Sequence, residues 1–209
     1  MFECLRGLVG SVPGVVEAVV YGSMVRGDFI PGCSDLDVFL VVSGPFLDTA
    51  WLSRLLGQCL DCSGVRVRGV DIAWCSVDEV YSHRCDYKFL TVYREDFERH
   101  SLLLYGVPVH RVQSSYWSLR GRCERLLGLA GRRVMRGIVA GETVKLLLLA
   151  HGYRGPWDKV SVLRAVSERL DECSVRVWSS YVSCVEPPEE CVDRLVGTLH
   201  LMCGGRLQV

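Results

Sequence analysis

Two aspartates separated by a single residue, Asp35 and Asp37, open the apolar segment at residues 36–42. In a β-strand, residues two apart project from the same face, so these carboxylates would stand side by side, roughly 6–7 Å apart. Like charges held on one face repel each other. The spacing therefore predicts that a cation lies between them, and Mg²⁺ or Mn²⁺ is the kind of cation that carboxylate oxygens bind.

A Gly22-Ser23 pair follows directly on a predicted strand, Val15–Tyr21. Glycine permits a tight turn, and the N–H groups at a turn or helix start bind anions. Phosphates and carboxylates repel each other unless a divalent metal ion bridges them. The two features together predict a site for a nucleoside triphosphate (NTP) held through metal ions. The chain contains neither GxxxxGK[ST] nor GxGxxG, which excludes P-loop and Rossmann nucleotide sites.

The pattern of Gly22-Ser23, eleven further residues and Asp35-Leu-Asp37 resembles the GS…DxD signature of nucleotidyltransferases in the DNA polymerase β superfamily. Minimal and aminoglycoside nucleotidyltransferases are members of similar size. Arg26-Gly27 and Ser34 also agree with the signature, and the resemblance covers about residues 15–108. It implies a third carboxylate on a later strand, and Asp71 in VRGVDIAW matches it.

The resemblance also implies roles for these residues. Asp35 and Asp37 would ligate two divalent metal ions, and Asp71 would complete the site or help to take the proton from the acceptor hydroxyl. The residues expected to hold the nucleotide phosphates are Gly22 and Ser23, with Arg26 assisting. The reaction would be in-line transfer of a nucleoside monophosphate, with AMP as the expected one, to an acceptor hydroxyl with release of pyrophosphate.

The acceptor stays open at this point, since small-molecule, protein and RNA hydroxyls all fit. One alternative is a non-catalytic member of the fold that acts by binding, as a regulatory or antitoxin-like module. Another is an RNA 3′-end nucleotidyltransferase, which the arginine-rich segment Arg120–Arg136 favours. In the aminoglycoside enzymes the helical half supplies an acceptor-side base, and Glu142 is the candidate for it here.

The order of predicted elements indicates an α+β fold: a small mixed β-sheet domain at 1–108, with a helical bundle at 109–209. The predicted strands are Val15–Tyr21, Asp35–Val42, Val65–Trp74 and Leu102–Tyr105. The predicted helices are Asp48–Gln58, one starting at the Ser76–Glu79 capping box, 115–130, 133–152, 159–171 and 188–203.

Charge divides along the same line. Residues 1–108 hold nine Lys and Arg against fourteen Asp and Glu, a net charge of −5, while residues 109–209 hold fifteen against ten, a net charge of +5. Such asymmetry predicts that one half handles cations and the other anions, or that the halves attract each other. We expect the helical half, from this chain or from a homodimer mate, to form the acceptor wall of the cleft.

Composition sets the remaining expectations. The chain is 49% hydrophobic and 23% charged, has no long apolar run and shows no signal-peptide layout, which predicts a cytoplasmic globular protein without a membrane partner. The absence of Asn and the presence of only three Gln are typical of a hyperthermophile. Eleven cysteines predict some disulfides. A zinc site at Cys59, Cys62, Cys75 and His83 is the competing hypothesis.

Overall fold

The computed structural model describes residues 1–44, 47–112 and 119–204. The chain divides into two compact units, Met1–Tyr116 and Trp117–Val209. The first unit is a mixed α/β domain and the second is helical, so the predicted α+β class is confirmed. No helix in the described ranges is both long enough and apolar enough to cross a bilayer.

The first unit contains one sheet and a set of helices. Its strands are β1 (Val15–Tyr21), β2 (Leu36–Val42), β3 (Val70–Ser76) and β4 (Ser101–Gly106). Its helices are α1 (Phe2–Gly10), α2 (Ser23–Arg26), α3 (Thr49–Cys62), α4 (Val77–Tyr81) and α5 (Arg94–Arg99), with short 3₁₀ helices at Lys88–Leu90 and Val109–Val112. The second unit contains α6 (Leu119–Ala130), a 3₁₀ helix at Arg133–Met135, α7 (Arg136–Ala150), α8 (Lys159–Arg169), α9 (Glu172–Ser183) and α10 (Glu189–Cys203).

The strands of the first unit are arranged in the order β3-β2-β1-β4. β1 runs antiparallel to both β2 and β4, while β2 and β3 run parallel, so the predicted mixed sheet is confirmed. A parallel pair needs a crossover connection, and α3 supplies it between β2 and β3. This topology places the N-terminal ends of β2 and β3 next to each other.

Strand β2 lies between β3 and β1 in the sheet. Its side chains alternate between two buried faces, which explains why every residue of the strand except Asp37 is apolar. The side chains of Leu36, Val38, Leu40 and Val42 belong to the core cluster on the side of α1 and α3. Phe39 and Val41 belong to a separate cluster on the opposite face. Asp37 lies two residues before Phe39 and so shares that second face, at the edge of its apolar cluster.

Local capping explains where two of the predicted helices begin. The Asp48 side chain accepts a hydrogen bond from the Trp51 N–H at 2.9 Å and caps α3. The capping box predicted at Ser76 and Glu79 is present at the start of α4.

The predicted starts of β2 at Asp35 and of β3 at Val65 are wrong, and helices α1, α2, α5 and α9 were not predicted. β3 begins at Val70 and not at Val65. The residues before Val70 bond instead with the loop that precedes β2, where the Gly32 N–H donates to the Arg66 carbonyl at 2.8 Å. Helix α9 was missed, although Asp171 caps it by accepting from the Ser174 N–H at 2.9 Å.

The prediction that some of the cysteines form disulfides is confirmed. Disulfides join Cys4 to Cys59, Cys75 to Cys85 and Cys173 to Cys191. Because Cys59 and Cys75 belong to two different disulfides, the alternative zinc site is wrong.

Candidate active site

Asp37 and Asp71 occupy paired positions on the two parallel strands. They are direct Cα partners in the β2–β3 register, so their side chains leave the same face of the sheet. Asp37 is half-buried and Asp71 is exposed. Asp35 directly precedes β2, and its side chain is 27% exposed. The structure therefore brings all three predicted carboxylates to the N-terminal ends of β2 and β3.

Gly22 is the reason why the Asp37 carboxylate fits where it does. Its φ of 76° lies in the left-handed region, and a Cβ built there would overlap Oδ2 of Asp37 and lie 3.1 Å from its Cγ. The Gly22 carbonyl accepts hydrogen bonds from the N–H groups of Val25 and Arg26 in the short helix α2. The Gly22 backbone therefore lies directly against the Asp37 carboxylate, where a side chain on residue 22 would not fit.

Tyr21 is the last residue of β1 and the register partner of Asp37. The charges of Asp37 and Asp71 both act on its phenol. Burial raises the pKa of the Tyr21 phenol well above its ordinary value, and the negative charges of Asp37 and Asp71 raise it further. Its ring centroid lies 4.4 Å from that of Phe89 in the aromatic cluster of this face. The Tyr21 phenol is therefore neutral at physiological pH, and it lies near the negative charges of both Asp37 and Asp71.

Tyr87 borders Asp71 on the other side. Its hydroxyl donates a hydrogen bond to the Trp74 carbonyl at 3.3 Å. Burial raises the pKa of the Tyr87 phenol, the bond to Trp74 offsets part of that shift, and the Asp71 charge adds to it. Both tyrosines escaped the sequence analysis, because aromatic residues at strand ends are usual in any core.

Arg26 forms ion pairs within the protein, whereas the sequence suggested that it assists in binding the nucleotide phosphates. Its guanidinium forms ion pairs with Asp28 at 3.1 Å and with Asp96 at 2.9 Å, and its side chain is only 15% exposed. These pairs tie the end of α2 to α5. Phosphate binding by Arg26 stays a prediction, while the contacts show it fixing the turn that carries Gly22 and Ser23.

Arg68 is the functional candidate that the sequence analysis missed. Its Nε donates to Oδ1 of Asp35 at 3.1 Å, and one terminal nitrogen donates to Oδ2 of the same carboxylate. The only sequence signal was its position in VRVRGVD, three residues before Asp71. The proposed metal ligand Asp35 thus forms an ion pair with a neighbouring arginine.

The donor chemistry of this site fits divalent metal ions. Three carboxylates offer oxygen ligands only, which is the set that Mg²⁺ and Mn²⁺ prefer. The Gly22 backbone lies directly against the Asp37 carboxylate. Asp37 and Asp71 are register partners on β2 and β3. Within the described ranges, however, no three Asp, Glu, His or Cys side chains are grouped closely enough to hold an ion. The Asp35–Arg68 ion pair occupies both oxygens of one of the three carboxylates.

Glu142, the predicted acceptor-side base, lies in α7 of the second unit and is buried. It accepts from Arg122 at 3.1 Å and from Lys145 at 3.0 Å. These contacts favour a role for Glu142 in joining α6 to α7.

We expect Glu142→Gln to destabilise the second unit by roughly 2 kcal/mol, less than the loss of a partner from a fully buried pair because Arg122 and Lys145 are partly exposed. Calorimetric unfolding would measure the loss. Glu190→Gln is the matched control, since Glu190 pairs with Arg176 but is 65% exposed, and should change stability little. Unchanged stability with lost transfer would instead assign Glu142 to the acceptor site.

The first unit is similar to a known family of domains. The family model of the nucleotidyltransferase domain matches residues 3–104. This range includes Gly22, Ser23 and all three aspartates, so the first unit resembles a nucleotidyltransferase domain of the polymerase β-like kind.

Solved structures extend the likeness to the fold. The spectinomycin adenyltransferase AAD(9) from Enterococcus faecialis, crystallised with ATP and spectinomycin, is similar with a TM-score of 0.59 and 16% identity, over 95% of this chain and 96% of that chain. At this identity the likeness shows the fold alone. A toxin–antitoxin structure with AMP-PNP is similar over 61% of this chain and 95% of that one, at 15% identity and a TM-score of 0.38, which is too weak to carry an argument. A search of the curated proteins finds no match.

Proposed function

We propose that this protein is a metal-dependent nucleotidyltransferase that moves a nucleoside monophosphate, AMP in the first instance, from an NTP to an acceptor hydroxyl. The observation that carries the proposal is the paired register of Asp37 and Asp71 beside the Gly22 turn. Carboxylates next to a glycine turn are suited to binding phosphates through divalent ions, and the pair lies inside the region that matches the nucleotidyltransferase domain.

In this proposal Asp35, Asp37 and Asp71 hold the Mg²⁺ or Mn²⁺ ions. Bound there, such ions would neutralise the triphosphate and stabilise the attacking and leaving oxygens of an in-line displacement. The turn at Gly22 and Ser23 presents backbone to the phosphates, and the Arg26 ion pairs hold that turn in place.

The acceptor hydroxyl oxygen forms a bond to the α-phosphorus, and the bond from that phosphorus to the bridging oxygen breaks as pyrophosphate leaves. The hydroxyl proton passes to a base as the new bond forms. Asp71 is the exposed carboxylate of the three and is assigned this role. Tyr21 is excluded as the base, because its raised pKa keeps the phenol protonated.

Acceptor recognition is assigned to the helical residues 109–209, because the phosphate and metal residues proposed here all lie within 1–108. A partner copy in a homodimer could supply the same residues. A small-molecule alcohol is the acceptor class we favour, since the adenyltransferase of the same fold was crystallised with ATP and a small molecule, spectinomycin.

The test uses the purified full-length protein with each of the four α-labelled NTPs, in Mg²⁺ or Mn²⁺, against fractionated small-molecule extract, protein extract and RNA. We expect label in one acceptor class with an equal amount of pyrophosphate, and no label in EDTA. Calorimetry should show that nucleotide affinity falls steeply when EDTA removes the metal. Metal-dependent binding with no transfer to any acceptor would contradict the enzyme and support the antitoxin-like binding module. Binding that EDTA leaves unchanged would contradict the metal site.

A further inference from the structure

Main-chain hydrogen bonds bring the two residues of the Arg68–Asp35 ion pair next to each other. The Arg68 N–H donates to the Ser34 carbonyl at 3.0 Å, so the residue before Asp35 is tied directly to Arg68. The Leu36 N–H donates to the Gly69 carbonyl at 2.9 Å, and a Cβ at Gly69 would lie 3.2 Å from Oδ1 of Asp35. These main-chain bonds place the backbone of Arg68 beside that of Asp35, within reach of its carboxylate.

We infer that Arg68 is a triphosphate-binding residue that gives up Asp35 when the metal and nucleotide bind. The inference rests on the proposed function. It adds that Arg68 binds Asp35 in the free protein and a phosphate in the loaded protein. In the free protein Arg68 neutralises Asp35. In the loaded protein the divalent ions take over that task, and the guanidinium moves onto a phosphate.

Charge makes this exchange necessary. Both oxygens of Asp35 accept hydrogen bonds from one guanidinium. A divalent cation brought to the same carboxylate would repel that positive group.

Exposure makes the exchange feasible. The Arg68 side chain is 57% exposed, and ion pairs exposed to water are weak and easily broken. Arg26 contrasts with it, since that side chain is 15% exposed and bound by two carboxylates. A guanidinium is also the group whose planar fork fits phosphate oxygens as well as it fits a carboxylate, so Arg68 can change partner without loss of geometry.

The competing explanation is that Arg68 only joins the loop before β2 to the start of β3. The two roles predict different signs for the variant Arg68→Gln. If Arg68 exchanges partners, its loss removes a competitor for Asp35 and a ligand for the phosphates. Metal alone should then bind more tightly and nucleotide more weakly. If Arg68 is structural, its loss disturbs both and weakens both.

The experiment measures two affinities of the full-length protein by calorimetry: Mn²⁺ without nucleotide, and a non-hydrolysable ATP analogue in saturating Mg²⁺. For Arg68→Gln we expect Mn²⁺ affinity to rise by up to about fivefold, as the loss of an exposed ion pair allows. We expect analogue affinity to fall about tenfold, as the loss of a charge-assisted hydrogen bond requires. Arg68→Lys should recover part of the analogue affinity, since it restores the charge without the fork.

Arg66→Gln is the matched control, because Arg66 is an exposed arginine two residues earlier and the variant removes the same charge. Neither of its affinities should change. If Arg68→Gln shifts both affinities in the same direction, or shifts neither, the partner exchange is overturned while the nucleotidyltransferase proposal stands. If the wild-type protein binds no analogue with either metal, the proposed function fails, and the inference fails with it.

Discussion

Asp37→Asn lowers the rate of nucleotide transfer by more than about a hundredfold while the protein stays folded; this is the largest loss we expect from a change that keeps side-chain size. Loss of a residue that only orients a metal ligand already costs 10- to about 100-fold, and Asp37 is proposed as a ligand itself. Asparagine keeps the shape of the side chain beside Gly22 but removes the charge. Labelled-nucleotide transfer in saturating Mg²⁺ measures the effect.

Stability should move in the opposite direction to activity. Asp37 is paired with Asp71 across β2 and β3, and like charges directly opposite each other destabilise a sheet. Asp37→Asn should therefore melt at the same temperature as the wild type or slightly higher. Asp61→Asn, which removes an exposed carboxylate from the end of α3, is the control and should keep full transfer. A variant at Asp37 that retains more than a tenth of the activity would remove this residue from the metal site.

The part of this site that could be predicted from sequence is the part that lies close together along the chain. Asp35 and Asp37 are two residues apart in a linear motif, although only Asp37 lies within β2. Gly22-Ser23 follows a strand that was predicted with its observed bounds, Val15–Tyr21. Local geometry and a linear motif were enough for these residues.

The pairing of Asp37 with Asp71 depended on information that the sequence does not contain. A shift of one residue in the β2–β3 register would turn Asp71 to the opposite face. The observed register is set by packing on both faces of β2 and by the bond from the Leu36 N–H to the Gly69 carbonyl. The resemblance predicted Asp71 as the third carboxylate, and the structure shows that Asp71 is the register partner of Asp37.

The arginines show where pattern reasoning ends. Arg26 and Asp96 are 70 residues apart, and Arg68 and Asp35 are 33 apart. Which carboxylate a long, flexible side chain reaches depends on the folded positions of both partners, so the motif favoured Arg26 and overlooked Arg68. An arginine beside a motif is therefore weaker evidence than a glycine within it, because the glycine is constrained by its own backbone.

That constraint gives the second large effect. Gly22→Ala should reduce transfer and metal-dependent nucleotide binding below detection, because the new Cβ would overlap Oδ2 of Asp37. Either the carboxylate turns away from its place opposite Asp71 or the turn moves and takes Ser23 with it. Both movements separate groups that the proposed site needs together. Calorimetry with the ATP analogue and the labelled-transfer assay measure the two losses.

Gly27→Ala separates this contact from backbone strain. Gly27 has a φ of 93°, so alanine is strained there as well, but a Cβ at Gly27 would meet nothing within 4 Å. Gly27→Ala should lose roughly 1–2 kcal/mol of stability, the cost of the left-handed α conformation for alanine. Gly22→Ala should lose more, because its ψ of −149° lies in a region that only glycine adopts readily. Only Gly22→Ala should lose binding. Equal loss of binding in the two variants would show that strain in the turn, and not the approach of Gly22 to Asp37, accounts for the requirement for glycine.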